Sequence, residues 1–252
     1  MEILIFNNKK KLGQAAGETA ARVIRKAIRR RGAANLILAT GVSQFDTLQT
    51  LVSSKNINWA KVTLFHLDEY IGLSDTHPAS FRNYLFNRFV KRVPPLRAVH
   101  FINGDAKDPR EECRRLSKTI RNHPIDVALA GIGENAHLAF NDPPADFKTS
   151  VPYLIVKLDR ACRKQQLGEG WFKSLDRVPR RAISMSISFL MKSRLLIVSV
   201  PDQRKAEAVR KTVEGPVSPS APASILQKHP HCKLYLDHAS ASLTKAIKRL
   251  KK

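Results

Sequence analysis

The order in which short apolar runs and longer amphipathic ones follow each other does most to limit the folds open to this chain. Strand-length runs are Ile3–Phe6, Leu36–Ala39, Val62–Leu67, Val99–Ile102, Asp126–Ala130, Tyr153–Leu158, Ala182–Ile187, Leu195–Val200 and Lys233–Leu236. Between them, helical patterns cover Leu12–Arg30, Ser43–Ser53, Ser80–Lys91, Pro109–Arg121, Gln203–Val213 and Ala239–Leu250. The runs beginning at Leu36 and Leu195 do not alternate in polarity. Both faces of those strands therefore need cover, as in a parallel sheet wrapped by helices. The pattern predicts an α/β fold, a doubly wound, mostly parallel sheet flanked by helices in a Rossmann-like plan. A chain of 252 residues can bury a sizeable core. The Pro-rich stretch Gly215–Pro222 is too short for an interdomain linker, so residues 1–252 read as a single domain.

Composition narrows the setting. No apolar run approaches the ~20 residues of a bilayer span, so no membrane association is expected. The N-terminal apolar stretch precedes its positive charge, the reverse of a secretory signal. Cys113, Cys162 and Cys232 are odd in number and lack CxxC spacing, which suits a reducing compartment. A cytoplasmic location is expected. Lys and Arg number 44 against 21 Asp and Glu, a formal net charge of +23. The basic clusters Lys9–Lys11, Arg25–Arg31 and Lys245–Lys252 could attract a polyanion. Those at 22–31 and 245–252 fall within helical patterns, where charge is usually a solvated face, and no aromatic residues interleave with them. Nucleic acid is therefore not the expected partner.

Three segments carry chemistry, each at the carboxyl end of a predicted strand, where open α/β sheets bind their ligands. Thr40-Gly41-Val42-Ser43 joins a strand to a helix. Its glycine, hydroxyls and helix N–H groups would suit a phosphate, although Ser43 could equally be a plain N-cap. Asp68 and Glu69 are adjacent acids at a strand end; one can face a pocket as a general base while the other is held structurally. Gly131 to Pro144, GIGENAHLAFNDPP, places His137 in a loop with Glu134, Asn135, Asn141 and Asp142, a setting for acid–base chemistry or simply a polar turn. Its Gly131-x-Gly133-x-x-Ala136 spacing mimics a dinucleotide fingerprint, but paired prolines close behind would break the required helix. His229-Pro230-His231-Cys232 reads as a loop into a strand, and no metal site is expected.

The segments ATGVSQ (39–44), LDEYIGL (67–73), GIGENAHLAFNDPP (131–144), QRKAEAV (203–209) and ILQKHP (225–230) occur in one consistent order over most of the chain. Together they resemble the glucosamine-6-phosphate deaminase/isomerase family, which shares its general fold with 6-phosphogluconolactonases. LDEY and HLAFNDP look more like the deaminase branch. The resemblance implies conversion of a sugar phosphate, glucosamine 6-phosphate, to fructose 6-phosphate and ammonia without a cofactor. It implies Asp68 as the base moving a proton between C2 and C1, and His137 as the group assisting ring opening. Asn135 and Asp142 fall where the family places the partners that orient this histidine. Thr40, Gly41, Val42, Ser43 and Lys205 would hold the phosphate, and Glu69 and Gly133 would belong to the substrate loops.

Some positions depart from the family's pattern. Ala136 stands where glycine is usual, and a positive φ there would add strain of roughly 1 kcal/mol. Asn135 replaces an acid found in some members, and Asp142 a glutamate. An arginine that contacts phosphate in some members has no clear counterpart, Arg163 being only nearby, and the allosteric pocket of some relatives is not recognisable. Two other readings stay open: a non-catalytic sugar-phosphate sensor, and a 6-phosphogluconolactonase-like hydrolase. A homo-oligomer is compatible with all three.

Overall fold

The structure, a computed structural model, describes residues 1–250; Lys251 and Lys252, the end of the basic C-terminal cluster, lie outside the described residues. Its strands are β1 (Glu2–Phe6), β2 (Ala34–Leu38), β3 (Val62–His66), β4 (Asp68–Tyr70), β5 (Ala98–His100), β6 (Val127–Ala130), β7 (Tyr153–Lys157), β8 (Arg181–Met185), β9 (Leu196–Val200) and β10 (Cys232–Asp237). Its helices are α1 (Lys9–Arg31), α2 (Phe45–Val52), α3 (Phe81–Arg88), α4 (Pro109–Arg121), α5 (Arg160–Gly168), α6 (Ile187–Leu190), α7 (Ala206–Glu214), α8 (His238–Ala241) and α9 (Lys245–Leu250).

Seven strands form a parallel sheet in the order β1-β10-β9-β6-β2-β3-β5. The chain runs outward from β2 through β3 to β5, then returns to the other side of β2 at β6. That reversal opens a crevice between the carboxyl ends of β2 and β6, the standard ligand position for such sheets. Leu36 and Leu38 of β2 face one core with residues of α1, α2 and α3, while Ile37 faces a second core containing residues of α4 and α7. Cover on both faces is why β2 and β9 read as continuous apolar runs.

A second sheet was not foreseen. β4, β8 and β7 pair antiparallel in that order, with Asp68 opposite Ser184 and Ile155 opposite Ile183. The predicted run Val62–Leu67 leaves the parallel sheet at its end. Leu67 N–H still donates to Leu38 in β2, while its carbonyl accepts from Met185, the last residue of β8. Leu67 is thus the corner between the sheets, and Asp68 is the first residue around it.

α5 was also missed, because its sequence, RACRKQQLG, offers few apolar residues at helical spacing. The predicted C-terminal helix is two helices, α8 and α9, parted at 242–244. None of the described helices is long and apolar enough to cross a membrane. The three cysteines are free and buried.

α1 is capped by Asn8, whose side chain accepts from Lys11 N–H, and is stopped by Gly32 at φ 76°. It lies against α2 through Gly13 and Gly17. A Cβ on Gly17 would stand 2.6 Å from Thr50 Cβ and 2.7 Å from the Thr47 carbonyl oxygen. Alanine ordinarily favours a helix interior over glycine by about 1 kcal/mol. Here the clash with α2 backbone outweighs that gain, since overpacking costs about 1–3 kcal/mol. Gly17→Ala is expected to lower stability in urea unfolding, although the same change on an exposed helix face would raise it.

Candidate active site

The crevice holds a cavity of about 670 Å³ whose lining includes Thr40, Gly41, Val42 and Ser43, Asp68, Gly133 and His137, and Lys205. Eight of the eleven expected site residues thus line one cavity, and Asp142 and Asn135 stand behind His137. Glu69 alone points elsewhere.

The two acids after β3 point opposite ways because successive residues of a strand do. Asp68 turns into the cavity. Glu69 turns into the N-terminus of α3, where its carboxylate accepts from Ser80 Oγ at 2.8 Å and from the backbone N–H groups of Phe81 and Arg82 at 3.1 and 2.7 Å. It also accepts from Tyr70 N–H at 2.9 Å. Glu69 is therefore an anchor for α3 and does not line the cavity. Burial pushes the Glu69 carboxyl up and these hydrogen bonds pull it back, leaving it at about 7. Burial, and then the charge of Glu69, pushes Asp68 up to about 8.

His137 is almost fully buried, and its Nδ1 lies 3.1 Å from Asp142 Oδ1. Burial alone would raise Asp142. The contact with His137, the Asn135 amide and the Asp159 N–H reverse that and hold its pKa below the ordinary carboxylate value. Asn135 does not reach the imidazole as the resemblance implied. Its Nδ2 donates to Asp142 at 2.9 Å and to Asp159 at 3.0 Å, and its Oδ1 accepts the His137 backbone N–H at 3.1 Å. It orients the carboxylate and the loop, one step behind the ring. Asp159, unmarked by any sequence motif, caps α5 by accepting from Cys162 N–H, and its own N–H donates to Asp142.

Gly133 is where glycine is obligatory: a Cβ there would sit 2.2 Å from His137 Cε1. Ala136 adopts φ 65°, the strained conformation expected at this position, and Ala139 follows at φ 52°.

The cradle is built differently from a serine-capped helix. Gly41, at φ 89°, occupies the cap position, Val42–Gln44 form a 3-10 turn leading directly into α2, and no side chain among the described residues caps that turn. Such a terminus presents backbone N–H groups without helical partners to the cavity. Gly131 brings β6 close behind it, a Cβ there being 3.2 Å from Ser43 Oγ. Lys205 is buried at the end of a second 3-10 turn, Gln203–Lys205. That turn starts at Asp202, which holds φ 89° while its N–H donates to both oxygens of Asp237 at 3.2 and 3.1 Å. Burial lowers the Lys205 pKa, and Glu169 and Glu134 oppose the shift.

Sequence reasoning missed Asp159, Gln165, Gln166, Glu169 and Asp237. Gln165 accepts from Glu134 N–H at 2.8 Å and Gln166 from Tyr70 Oη at 2.7 Å, so α5 is clamped to both the histidine loop and β4. Only the helix-capping signal of Asp159 could have drawn attention to this segment. Among the described residues, His137, Asp142 and Cys162 form the one group with donor atoms close enough to share a metal, within 4.8 Å. Asp142 already accepts from Asn135 and Asp159, and burial pushes the Cys162 thiol well up. The donors fit a hydrogen-bonded cluster better than a metal's ligand shell. His229 is occupied by backbone, its ring bonding the Ser193 carbonyl at 2.9 Å and accepting His231 N–H at 3.0 Å.

Two substitutions test this construction. Gly133→Ala is expected to displace the His137 ring and cut turnover by about 10²-fold, the usual cost of a 1 Å misplacement, and to lower the urea unfolding midpoint as overpacking does. Ala136→Gly is expected to raise stability by up to about 1 kcal/mol in denaturant unfolding by relieving the positive φ.

Known proteins resemble this chain over nearly its full length. The family described as glucosamine-6-phosphate isomerases/6-phosphogluconolactonase matches residues 7–235. The glucosamine-6-phosphate deaminase of Lactobacillus delbrueckii subsp. bulgaricus is 34% identical over 97% of this chain and 100% of its own. Glucosamine-6-phosphate deaminase 1 of Bacillus subtilis is 35% identical over 90% of this chain and 94% of its own. A solved structure of a monomeric glucosamine-6-phosphate deaminase superposes with a TM-score of 0.88 at 32% identity, covering 96% of this chain and 100% of that one. A 6-phosphogluconolactonase from Trypanosoma brucei, at 15% identity and a TM-score of 0.79, shares the fold. The chain belongs to the glucosamine-6-phosphate isomerase/6-phosphogluconolactonase family.

Proposed function

We propose that this protein is an enzyme that converts glucosamine 6-phosphate and water to fructose 6-phosphate and ammonia. The observation that carries the reading is a single cavity lined at once by an uncapped helix terminus with Lys205 and by Asp68 and His137. The first pair suits a phosphate; the second supplies a base and an acid. Its nearly full-length relatives named as glucosamine-6-phosphate deaminases support the same substrate.

In this reading Thr40, Gly41, Val42, Ser43 and Lys205 hold the phosphate and so fix the sugar's reacting end. His137, oriented by Asp142, passes a proton to the ring oxygen as the ring opens. Asp68 then removes the C2 proton and returns it to C1 while an amine proton passes to O1, so that C2 becomes an imine, which water hydrolyses to the C2 ketone and ammonia. Each positioned acid or base contributes about 10²–10⁴-fold, and fixing the sugar at its phosphate supplies much of the remainder. A carboxyl raised to about 8 is a stronger base toward carbon than an ordinary aspartate, provided it is ionised. Every residue the reading uses comes from one chain. Free buried cysteines fit a cytoplasmic setting.

The test is coupled detection of ammonia and fructose 6-phosphate from glucosamine 6-phosphate. Equal amounts of both are expected, with Asp68→Asn and His137→Ala each losing at least about 10²-fold. Unchanged turnover in the variants would overturn these roles. Thermal stabilisation by the sugar phosphate without turnover would point to a binding protein, and hydrolysis of 6-phosphogluconolactone to a lactonase.

The proton on Asp68 gives two pH signatures. The carboxylate is the active form, so kcat/KM should rise with pH through about 8. Stability should move the opposite way. The folded protein holds a proton that the unfolded chain releases near 3.8, so stability falls as pH climbs from there to about 8. Urea unfolding of Asp68→Asn over the same range should show a shallower decline than the parent.

A further inference from the structure

An acid stands at the mouth of the cradle. Glu169 follows α5 between Gly168 and Gly170, and its carboxylate accepts from Gln165 Nε2 at 2.9 Å and from the Trp171 indole Nε1 at 3.2 Å. The oxygen that meets Trp171 lies 3.6 Å from where a side chain on Gly41 would begin. Glu169 and Lys205 line the same cavity without forming an ion pair, and the carboxylate's charge opposes the effect of that lysine's burial. An anion entering the cradle therefore meets a carboxylate already there.

The arrangement has a physical rationale. With the cavity empty, a buried lysine beside an uncapped helix terminus concentrates positive charge in a partly desolvated space, and such charge needs a counter-charge. Glu169 provides one. The segment also has room to release it. A Cβ on Gly168 or Gly170 would meet nothing within 4 Å, and Gly170 already uses φ +84°. Glycines on both sides let the backbone re-aim the side chain with little steric cost.

We infer that Glu169 is a counter-anion built into the cradle, which a dianionic phosphate displaces and a singly charged or neutral ligand does not, so that it sets the charge selectivity of the pocket. The inference rests on the reading of Thr40–Ser43 and Lys205 as the phosphate site. Replacing one negative charge by another leaves the attraction to Lys205 unchanged. Replacing it by two adds to that attraction, and only then does the exchange favour the ligand.

The experiment compares glucitol 6-phosphate with glucitol 6-sulfate, at a pH above the phosphate's second pKa of about 6. Neither has the carbonyl or amine needed for turnover, and the sulfate ester carries a single charge. Calorimetric titration of the wild type should show strong preference for the phosphate ester. Glu169→Gln should bind both esters more tightly and gain most, roughly tenfold, for the sulfate, so the preference narrows. Glu169→Ala, which drops the side-chain hydrogen bonds as well, should behave alike once its thermal unfolding shows a folded protein. The chain has two tryptophans, so Trp59→Phe isolates Trp171. Its emission should shift when the phosphate ester binds, because the indole N–H loses its carboxylate, and should stay constant with the sulfate.

An unchanged phosphate-to-sulfate ratio in Glu169→Gln, or weaker binding of both esters, would overturn the inference. Failure of the wild type to bind the phosphate ester at all would overturn it together with the cradle. Failure of glucosamine 6-phosphate to turn over, with the ester pattern as expected, would remove only the proposed reaction.

Discussion

The buried carboxylate of Asp142 is the interaction on which the site depends. It meets His137 on one side, the Asn135 amide on another and the Asp159 backbone on a third. A buried carboxylate with one partner would be a liability; with several it is held ionised and becomes a rigid post. Because Asp159 also caps α5, the histidine loop and the helix that borders the cavity are fixed to the same group. Gln165 and Gln166 tighten that joint from the other end of α5. The orientation of the imidazole is thus a property of two distant segments folded together.

The corner at Leu67 does comparable work for the base. A strand that continued in the parallel sheet would carry Asp68 past the crevice. By turning into the small antiparallel sheet the chain aims Asp68 inward and Glu69 at α3, where three hydrogen bonds hold it beside a fourth from Tyr70 N–H. The adjacent acids then serve opposite ends. Glu69 anchors the fold, and its charge helps raise the carboxyl of Asp68, which stays buried and bears the cost of desolvation. Strain is concentrated nearby, at Ala136, Ala139 and Asp202, three non-glycine residues with positive φ in the loops that bear His137 and Lys205. Strain of this kind persists where surrounding contacts over-determine the backbone.

Much of this could be read from the sequence. Continuous apolar runs announced a sheet covered on both faces, and every predicted strand segment overlaps a strand. Glycine, hydroxyls and a helical pattern after β2 marked the cradle, and the histidine loop declared itself by its polar content. Short elements without apolar periodicity did not: α5 and β4 are fixed by contacts with segments far away in sequence, and the capping Asp159 is the one local sign of α5. Glu69 looked as suited to the substrate as Asp68, since adjacent acids are equivalent until a strand gives each its face.

The sequence by itself determined the sheet-and-helix plan, the loops that carry chemistry and the family to which they belong, because these rest on periodicity and local motifs. Only the tertiary structure decided which acid enters the cavity, that Asn135 acts through Asp142, and that Glu169 lines the same cavity as Lys205. Those outcomes depend on burial and on pairings between remote segments, and a group's charge, orientation and partners exist only once the chain has closed around it.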